Sequence, residues 1–121
     1  MLSVIIPAYN EEKCIKSAYN VIHSLLRENN IESEFVFIDD GSQDHTYKII
    51  TELVSETENV TGLHFSRNFG KESAISAGLA EADGDCAVVI DCDLQHPPEK
   101  IIEMYRLWEQ GYEIVEGIKK E

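Results

Sequence analysis

Short apolar runs rich in β-branched residues alternate along the chain with segments of helical period. Five strands are predicted, at Leu2–Pro7, Glu34–Asp39, Val60–Phe65, Cys86–Asp91 and Glu113–Ile118. Val4-Ile5-Ile6, Phe35-Val36-Phe37-Ile38 and Ala87-Val88-Val89-Ile90 are continuously apolar rather than alternating. That is the pattern of strands covered on both faces of a parallel sheet. Between the strands lie four amphipathic stretches: about Glu11 to Arg27, Thr46 to Glu56, Lys71 to Ala82 and Pro98 to Gln110. Their core-facing stripes are read as Ile15, Ala18, Ile22 and Leu25; Tyr47, Ile50 and Leu53 or Val54; Ala74, Ile75, Gly78 and Ala82; and Ile101, Tyr105 and Trp108.

Local signals agree with these boundaries. Asn10 and Asp44 are placed to cap the first and second helices, Pro98 to open the fourth and Gly111 to stop it. Ser73, Ala74, Ala77 and Gly78 would let the third helix approach the sheet closely. Strand–helix alternation with short loops predicts right-handed crossovers and an α/β fold: a Rossmann-like, mostly parallel, doubly wound sheet. The whole of residues 1–121 reads as one domain, without repeat, linker or low-complexity tract. Ligands of such sheets sit beyond the carboxyl ends of the strands, where the strand order switches.

Composition changes the picture mainly through charge. The formal net charge is −13, with only 10 Lys and Arg. A nucleic-acid backbone would be repelled; a phosphate-bearing ligand would need a cation between it and the protein. The three cysteines, Cys14, Cys86 and Cys92, have no CxxC spacing and point to a reduced, cytoplasmic setting. The first residues lack the basic and apolar regions of a signal peptide, and no run approaches the ~20 apolar residues of a spanning helix.

The acids gather at strand ends: Asn10-Glu11-Glu12 after the first, Asp39-Asp40-Gly41-Ser42 after the second, and Asp91-Cys92-Asp93-Leu94-Gln95 after the fourth. If the chain stays extended through Asp93, Asp91 and Asp93 point to one face, roughly 6–7 Å apart, and Cys92 points away. Two carboxylates converging within ~4 Å repel by ~4 kcal/mol at an effective dielectric of ~20. A divalent ion converts that repulsion into binding. Oxygen ligands of this type suit Mg²⁺ or Mn²⁺, and Gln95 can add an amide oxygen. Asp39-Asp40-Gly41-Ser42 reads equally as a strand-to-helix turn or as recognition of a base or ribose. Tyr9 would lie against a base or cover the sheet end. Arg67 and Lys71 stand beside a helix N-terminus, a favourable place for phosphate, or are surface charges. His23 and His45 read as solvated, His64 as a strand residue without an identifiable partner, and His96 as a turn residue.

Four ordered motifs then carry a resemblance. Val4-Ile-Ile-Pro-Ala-Tyr-Asn-Glu-Glu, Phe37-Ile-Asp-Asp-Gly-Ser-Gln-Asp-His-Thr and Asp91-Cys-Asp-Leu-Gln-His-Pro-Pro resemble the large inverting glycosyltransferase family with the A-type fold (family 2 type). Ser66-Arg-Asn-Phe-Gly-Lys-Glu-Ser-Ala-Ile-Ser-Ala-Gly-Leu is similar to polyprenyl-phosphate glycosyltransferases, among them bactoprenol glucosyltransferases and dolichol-phosphate mannose synthases. The resemblance implies a UDP-sugar or GDP-sugar donor and a polyprenyl phosphate acceptor. It implies a nucleotide-sugar pocket formed by Pro7, Ala8, Tyr9, Glu11, Asp39, Asp40, Arg67, Lys71, Asp91 and Cys92. Asp39 would bind the base. Asp91 and Asp93 would serve catalysis, with Asp93, Gln95 and Asp91 around a metal bridging the donor diphosphate. It also places a full-length parent at the cytoplasmic face of a membrane, and leaves self-association into a homo-oligomer open.

Family members continue beyond the point reached at Lys119-Lys120-Glu121, so these residues are expected to retain donor-site elements and to turn over poorly. Three other readings compete. A receiver-type phosphoacceptor domain would carry its acidic pair after the first strand and a lysine after the fifth. A nucleotidyltransferase would carry a glycine-rich basic loop after the first strand. A nucleotide-binding-only module would share the donor site. The pattern GxxxxGK[ST] is absent, so ATPase activity has no support.

Overall fold

The structure, a computed structural model, describes residues 1–95 and 97–111. Along the chain run β1 (Leu2–Ala8), α1 (Ile15–Glu28), β2 (Ser33–Asp39), α2 (Thr46–Glu56), β3 (Val60–His64), α3 (Lys71–Glu81), β4 (Cys86–Val89) and α4 (Glu99–Glu109). The expected strand at Glu113–Ile118 and the expected turn role of His96 lie outside the described residues.

Among the described residues all strand pairings are parallel, in the order β3-β2-β1-β4. The chain steps outward from β1 to β3, then returns through α3 to the other side of β1. This reversal opens a crevice at the carboxyl ends of β1 and β4. In β1 and β2 the continuous apolar runs are explained by burial on both faces, whereas β4 buries only one face in part and leaves Ala87 and Val89 exposed. Leu2, Val4, Ile6 and Ala8 join Phe35, Phe37 and the inner faces of α1 and α2, with Ile101 of α4. Ile5 joins Val36 and Ile38 beneath Ala74 of α3. Each fully buried Ile or Phe is worth roughly 1.5–3 kcal/mol. The small-residue stripe of α3 serves close packing, because a Cβ at Gly78 would lie 2.5 Å from Ile5 Cγ2 and 2.7 Å from Ile38 Cδ1.

Several boundaries differ from the sequence expectation. Asn10 does not cap α1. Its backbone is left-handed (φ 53°), and its Oδ1 accepts from the Gln43 N–H at 2.9 Å. A turn closed by Cys14 N–H on the Glu11 carbonyl follows, and α1 begins only at Ile15. Its stripe continues from Ile22 to Leu26, a step of four, and leaves Leu25 half-buried. In α2 Leu53 is buried and Val54 exposed. β4 ends at Val89, and the last ladder bond is Ile90 N–H to the Ile5 carbonyl at 2.9 Å. Pro98 does precede α4, and Gly111 follows it with φ 103°.

The cap position of α2 falls to His45, whose side chain makes no capping bond, and Asp44, one residue earlier, serves the helix start from outside it. Asp44 Oδ1 accepts from the Thr46 N–H at 2.9 Å and from the Thr46 hydroxyl, and its Oδ2 from the Glu12 N–H at 3.3 Å. Burial alone would raise its pKa, but the bonds from Thr46 and Glu12 prevail and hold it below the usual range. Asp44→Ala should cost about 1 kcal/mol at neutral pH. A depressed carboxylate stabilises above its unfolded pKa and loses that contribution as pH falls through the lower folded value. Urea melts of the two proteins should therefore converge below about pH 4.

Candidate donor-binding cleft

The carboxyl ends of β1, β2 and β4 and the start of α3 surround a cleft of about 280 Å³. It is lined by Pro7, Ala8, Tyr9, Glu11, Asp40, Lys71, Asp91, Cys92, Asp93 and Gln95. Sequence positions more than eighty residues apart thus meet at the strand-order switch. Two of the expected pocket residues are not among the lining. Asp39 is fully buried behind it, and Arg67 lies over the Phe69 ring, 4.3 Å from its centroid.

Asp91, Cys92 and Asp93 do not continue the strand. The Leu94 N–H returns to the Asp91 carbonyl at 3.1 Å and Leu94 is left-handed, with φ 52°. The three residues form a turn, so the two-residue period that would align the carboxylates no longer applies. They still face one cleft, with Asp91 half-buried, Asp93 exposed and Cys92 packed into the core at 3% exposure. Burial chiefly, and then the negative charge of Glu11, pushes the Cys92 thiol well above its ordinary pKa. Cys14 is raised by burial and by its hydrogen bond with Glu11. Both thiols remain protonated at neutral pH, which leaves oxygen as the cleft's ligand chemistry.

Lys71, the first residue of α3, pairs with Asp91 Oδ1 at 2.5 Å across the mouth of the cleft. Both side chains reach solvent, so the pair is worth no more than ~1 kcal/mol and a bound ligand can exchange it.

The loop that delivers Lys71 is anchored by Asp40. This carboxylate, 4% exposed, accepts from the Phe69 N–H at 2.8 Å, the Gly70 N–H at 3.1 Å and Asn68 Nδ2 at 3.1 Å. Gly41 takes φ 72°, and a Cβ there would run into the backbone of Arg67 and Asn68. The Asp40–Gly41 step is therefore a tie between β2 and the 67–70 loop as well as a wall of the cleft. Its partners lie about thirty residues downstream, beyond the reach of local sequence reasoning.

Other supporting residues were also hidden in the sequence. Thr46, fully buried, accepts from the Glu11 N–H at 2.9 Å, and Ser42 Oγ accepts from the Asn10 N–H at 2.9 Å. Together they dock the Tyr9–Glu12 loop onto the start of α2. Behind the cleft, Asp39 Oδ1 accepts from the Ser42 N–H at 3.0 Å, and Oδ2 meets His64 Nδ1 at 2.7 Å. The sequence offers no signal for the His64 contact except the parallel register that sets Asp39 beside His64.

Asp40→Ala should lower stability by about 1.5–3 kcal/mol, since it removes charge-assisted bonds from a buried site. Hydrogen exchange at Phe69 and Gly70 should rise more than elsewhere; uniform exchange change with an unaltered melt would contradict the anchoring role.

Residues 3–118 match Glycosyl transferase family 2. The chain is 40% identical over 117 residues to the uncharacterized glycosyltransferase YkcC of Bacillus subtilis, covering 97% of this chain and 36% of that protein. It is 41% identical over 114 residues to the prophage bactoprenol glucosyl transferase homolog of Escherichia coli, covering 94% and 37%. The chain thus spans about a third of the length of these relatives. Among solved structures, Staphylococcus aureus TarS 1–349 in complex with UDP-GlcNAc is similar with a TM-score of 0.69 at 26% identity, covering 90% of this chain and 31% of that one. The mannosyltransferase PcManGT of Pyrobaculum calidifontis, in complex with GDP-Man and Mn²⁺, gives 0.65 at 26% identity, covering 76% and 27%. With the parallel sheet and the cleft at its switch point, these matches establish that the chain belongs to glycosyl transferase family 2.

Proposed function

We propose that the cleft binds the nucleoside diphosphate end of a UDP-sugar or GDP-sugar together with Mg²⁺ or Mn²⁺. This is the donor side of sugar transfer to a polyprenyl phosphate. One observation carries the reading: Asp91, Asp93, Gln95, Glu11 and Lys71 line a single cleft at the strand-order switch of a strongly acidic protein. An anionic donor is accommodated there only if a cation offsets those carboxylates.

The donor set fits such an ion. Asp93, Gln95 and Asp91 supply hard oxygens, while the protonated thiols of Cys92 and Cys14 do not compete. Among the described residues no group of three or more His, Cys, Asp or Glu is arranged to hold a metal alone. A site completed by substrate phosphates and water, the habit of Mg²⁺, matches that sparse protein contribution. When bound, the cation stabilises charge developing on the departing diphosphate.

The chain's own residues supply the remainder. Pro7, Ala8, Tyr9 and Glu11 shape the nucleotide wall, with Glu11 held in place by Thr46. Lys71 can turn from Asp91 toward a phosphate oxygen, releasing Asp91 toward the sugar. Asp39, fully buried behind the wall, holds Ser42 and His64 in place. A lipid phosphate acceptor is already anionic near neutral pH, its second pKa being ~6, so the reaction needs no general base. Transfer is proposed for a protein carrying the remaining length found in the relatives, at the cytoplasmic face of a membrane. Donor binding with poor turnover is proposed for these 121 residues. Among the described residues no helix is long and apolar enough to cross a membrane. The order β3-β2-β1-β4, with acids after β2 and β4, favours this reading over a receiver domain.

A thermal-shift panel of UDP, GDP, UDP-glucose and GDP-mannose, each with Mn²⁺ or with chelator, tests the reading. A ligand at 100 times its dissociation constant should stabilise by about 2.7 kcal/mol, or several degrees. The shift should require Mn²⁺ and be lost in Asp93→Asn. No shift with any nucleotide sinks the proposal.

A further inference from the structure

Asp39 and His64 form a second unit at the same sheet edge, one strand beyond the cleft. Asp39 is fully buried, and both its oxygens are engaged, one by the Ser42 N–H at 3.0 Å and one by His64 Nδ1 at 2.7 Å. It has no free face to offer a ligand. His64, by contrast, is 43% exposed, and its ring stacks on Tyr47 with centroids 4.1 Å apart. The imidazole is thus fixed by a hydrogen bond at one nitrogen and by a flat aromatic partner at its face. A carboxylate accepts, so the shared proton belongs on Nδ1; in the neutral imidazole with that tautomer, Nε2 carries a lone pair. Among the described residues Nε2 makes no hydrogen bond.

We infer that His64 is a base-specificity residue: through Nε2 it accepts a hydrogen bond from the central N–H of the donor's nucleobase, held in register by Asp39 and Tyr47. The inference rests on the donor-site reading above. At about 280 Å³ the cleft is slightly smaller than the roughly 300–1,000 Å³ of sites that enclose a drug-sized ligand, so a nucleotide-sugar must extend beyond it. A base running along the edge of β2 and β3 meets Asp39 only through His64.

The consequence is chemical. Uracil N3 and guanine N1 carry a hydrogen and suit an acceptor. Cytosine N3 and adenine N1 carry lone pairs and would face the Nε2 lone pair. Buried or half-buried polar groups left unpaired are costly, so bases with a central N–H should bind roughly tenfold more tightly. This assigns to His64 the direct contact that motif reasoning gave to Asp39, and to Asp39 a positioning role.

Titration of the 121-residue protein in Mn²⁺ with UDP, GDP, CDP, ADP and inorganic pyrophosphate tests the assignment. Expected is a roughly tenfold preference for UDP and GDP over CDP and ADP, abolished in His64→Phe, which keeps a flat ring against Tyr47. Pyrophosphate affinity should be unchanged in that variant, which also reports that the cleft is intact. His64→Gln, whose amide can donate to Asp39 and present its carbonyl outward, should retain the preference and covers the case of His64→Phe failing to fold. Equal binding of the four nucleotides, or a preference that survives His64→Phe or is absent in a folded His64→Gln, overturns the assignment while leaving the donor cleft standing. Failure of pyrophosphate and of every nucleotide to bind overturns the donor-site reading itself, and this assignment with it.

Discussion

The cleft depends on a buried carboxylate that reaches across two elements. Asp40, at the end of β2, takes hydrogen bonds from Asn68, Phe69 and Gly70 and so fixes where α3 begins. Without that tie the loop after β3 would cross open space at the sheet edge, and Lys71 would have no defined place opposite Asp91. Gly41 makes the approach possible, because any side chain there would occupy the space of the Arg67–Asn68 backbone. The same β2 end also presents Asp39 to Ser42 and His64. Two consecutive acids, pointing to different sides of the strand, thus organise the loops on either side of it.

Sheet order supplies the second condition. The chain builds outward from β1 to β3 and then crosses back to β4, so the loops after β1 and β4 diverge and leave a crevice. Acids concentrate in that crevice, and Lys71 relieves part of their repulsion. The pair lies in solvent and is weak, an arrangement suited to a site whose occupant brings its own phosphates and cation. A stronger, buried pair would compete with the ligand.

The fold was largely legible because its central strands, β1 and β2, are covered on both faces and therefore read as unbroken apolar runs, and β4 carries a similar run although one of its faces is exposed. Helix boundaries were less so. Asn10 has the residue type of a cap, yet its side chain serves the Gln43 backbone in the neighbouring loop, and no local rule weighs a partner thirty-three residues away. The acidic turn was located correctly, but its shape was not, since the bend after Ile90 and the left-handed Leu94 are set by the end of the β1 pairing. Arg67 reads in the sequence as a phosphate partner or a surface charge; the structure leaves it exposed with its guanidinium over the Phe69 ring, a contact that the two-residue spacing alone does not announce. His64 had no visible partner in one dimension. Only the parallel register of β2 and β3 brings it to Asp39.

The central claim is that metal and nucleotide meet at the β1–β4 crevice of this domain. Paramagnetic broadening of backbone amide signals by Mn²⁺ in the presence of UDP or GDP tests it most directly. Strong broadening of Asp91 to Gln95, Lys71 and Tyr9 to Glu11 is expected. Ser3, Glu34 and Gly84, which are joined by hydrogen bonds at the opposite end of the sheet, should remain sharp. Broadening centred on that opposite end, or spread evenly over the acidic surface, would contradict it.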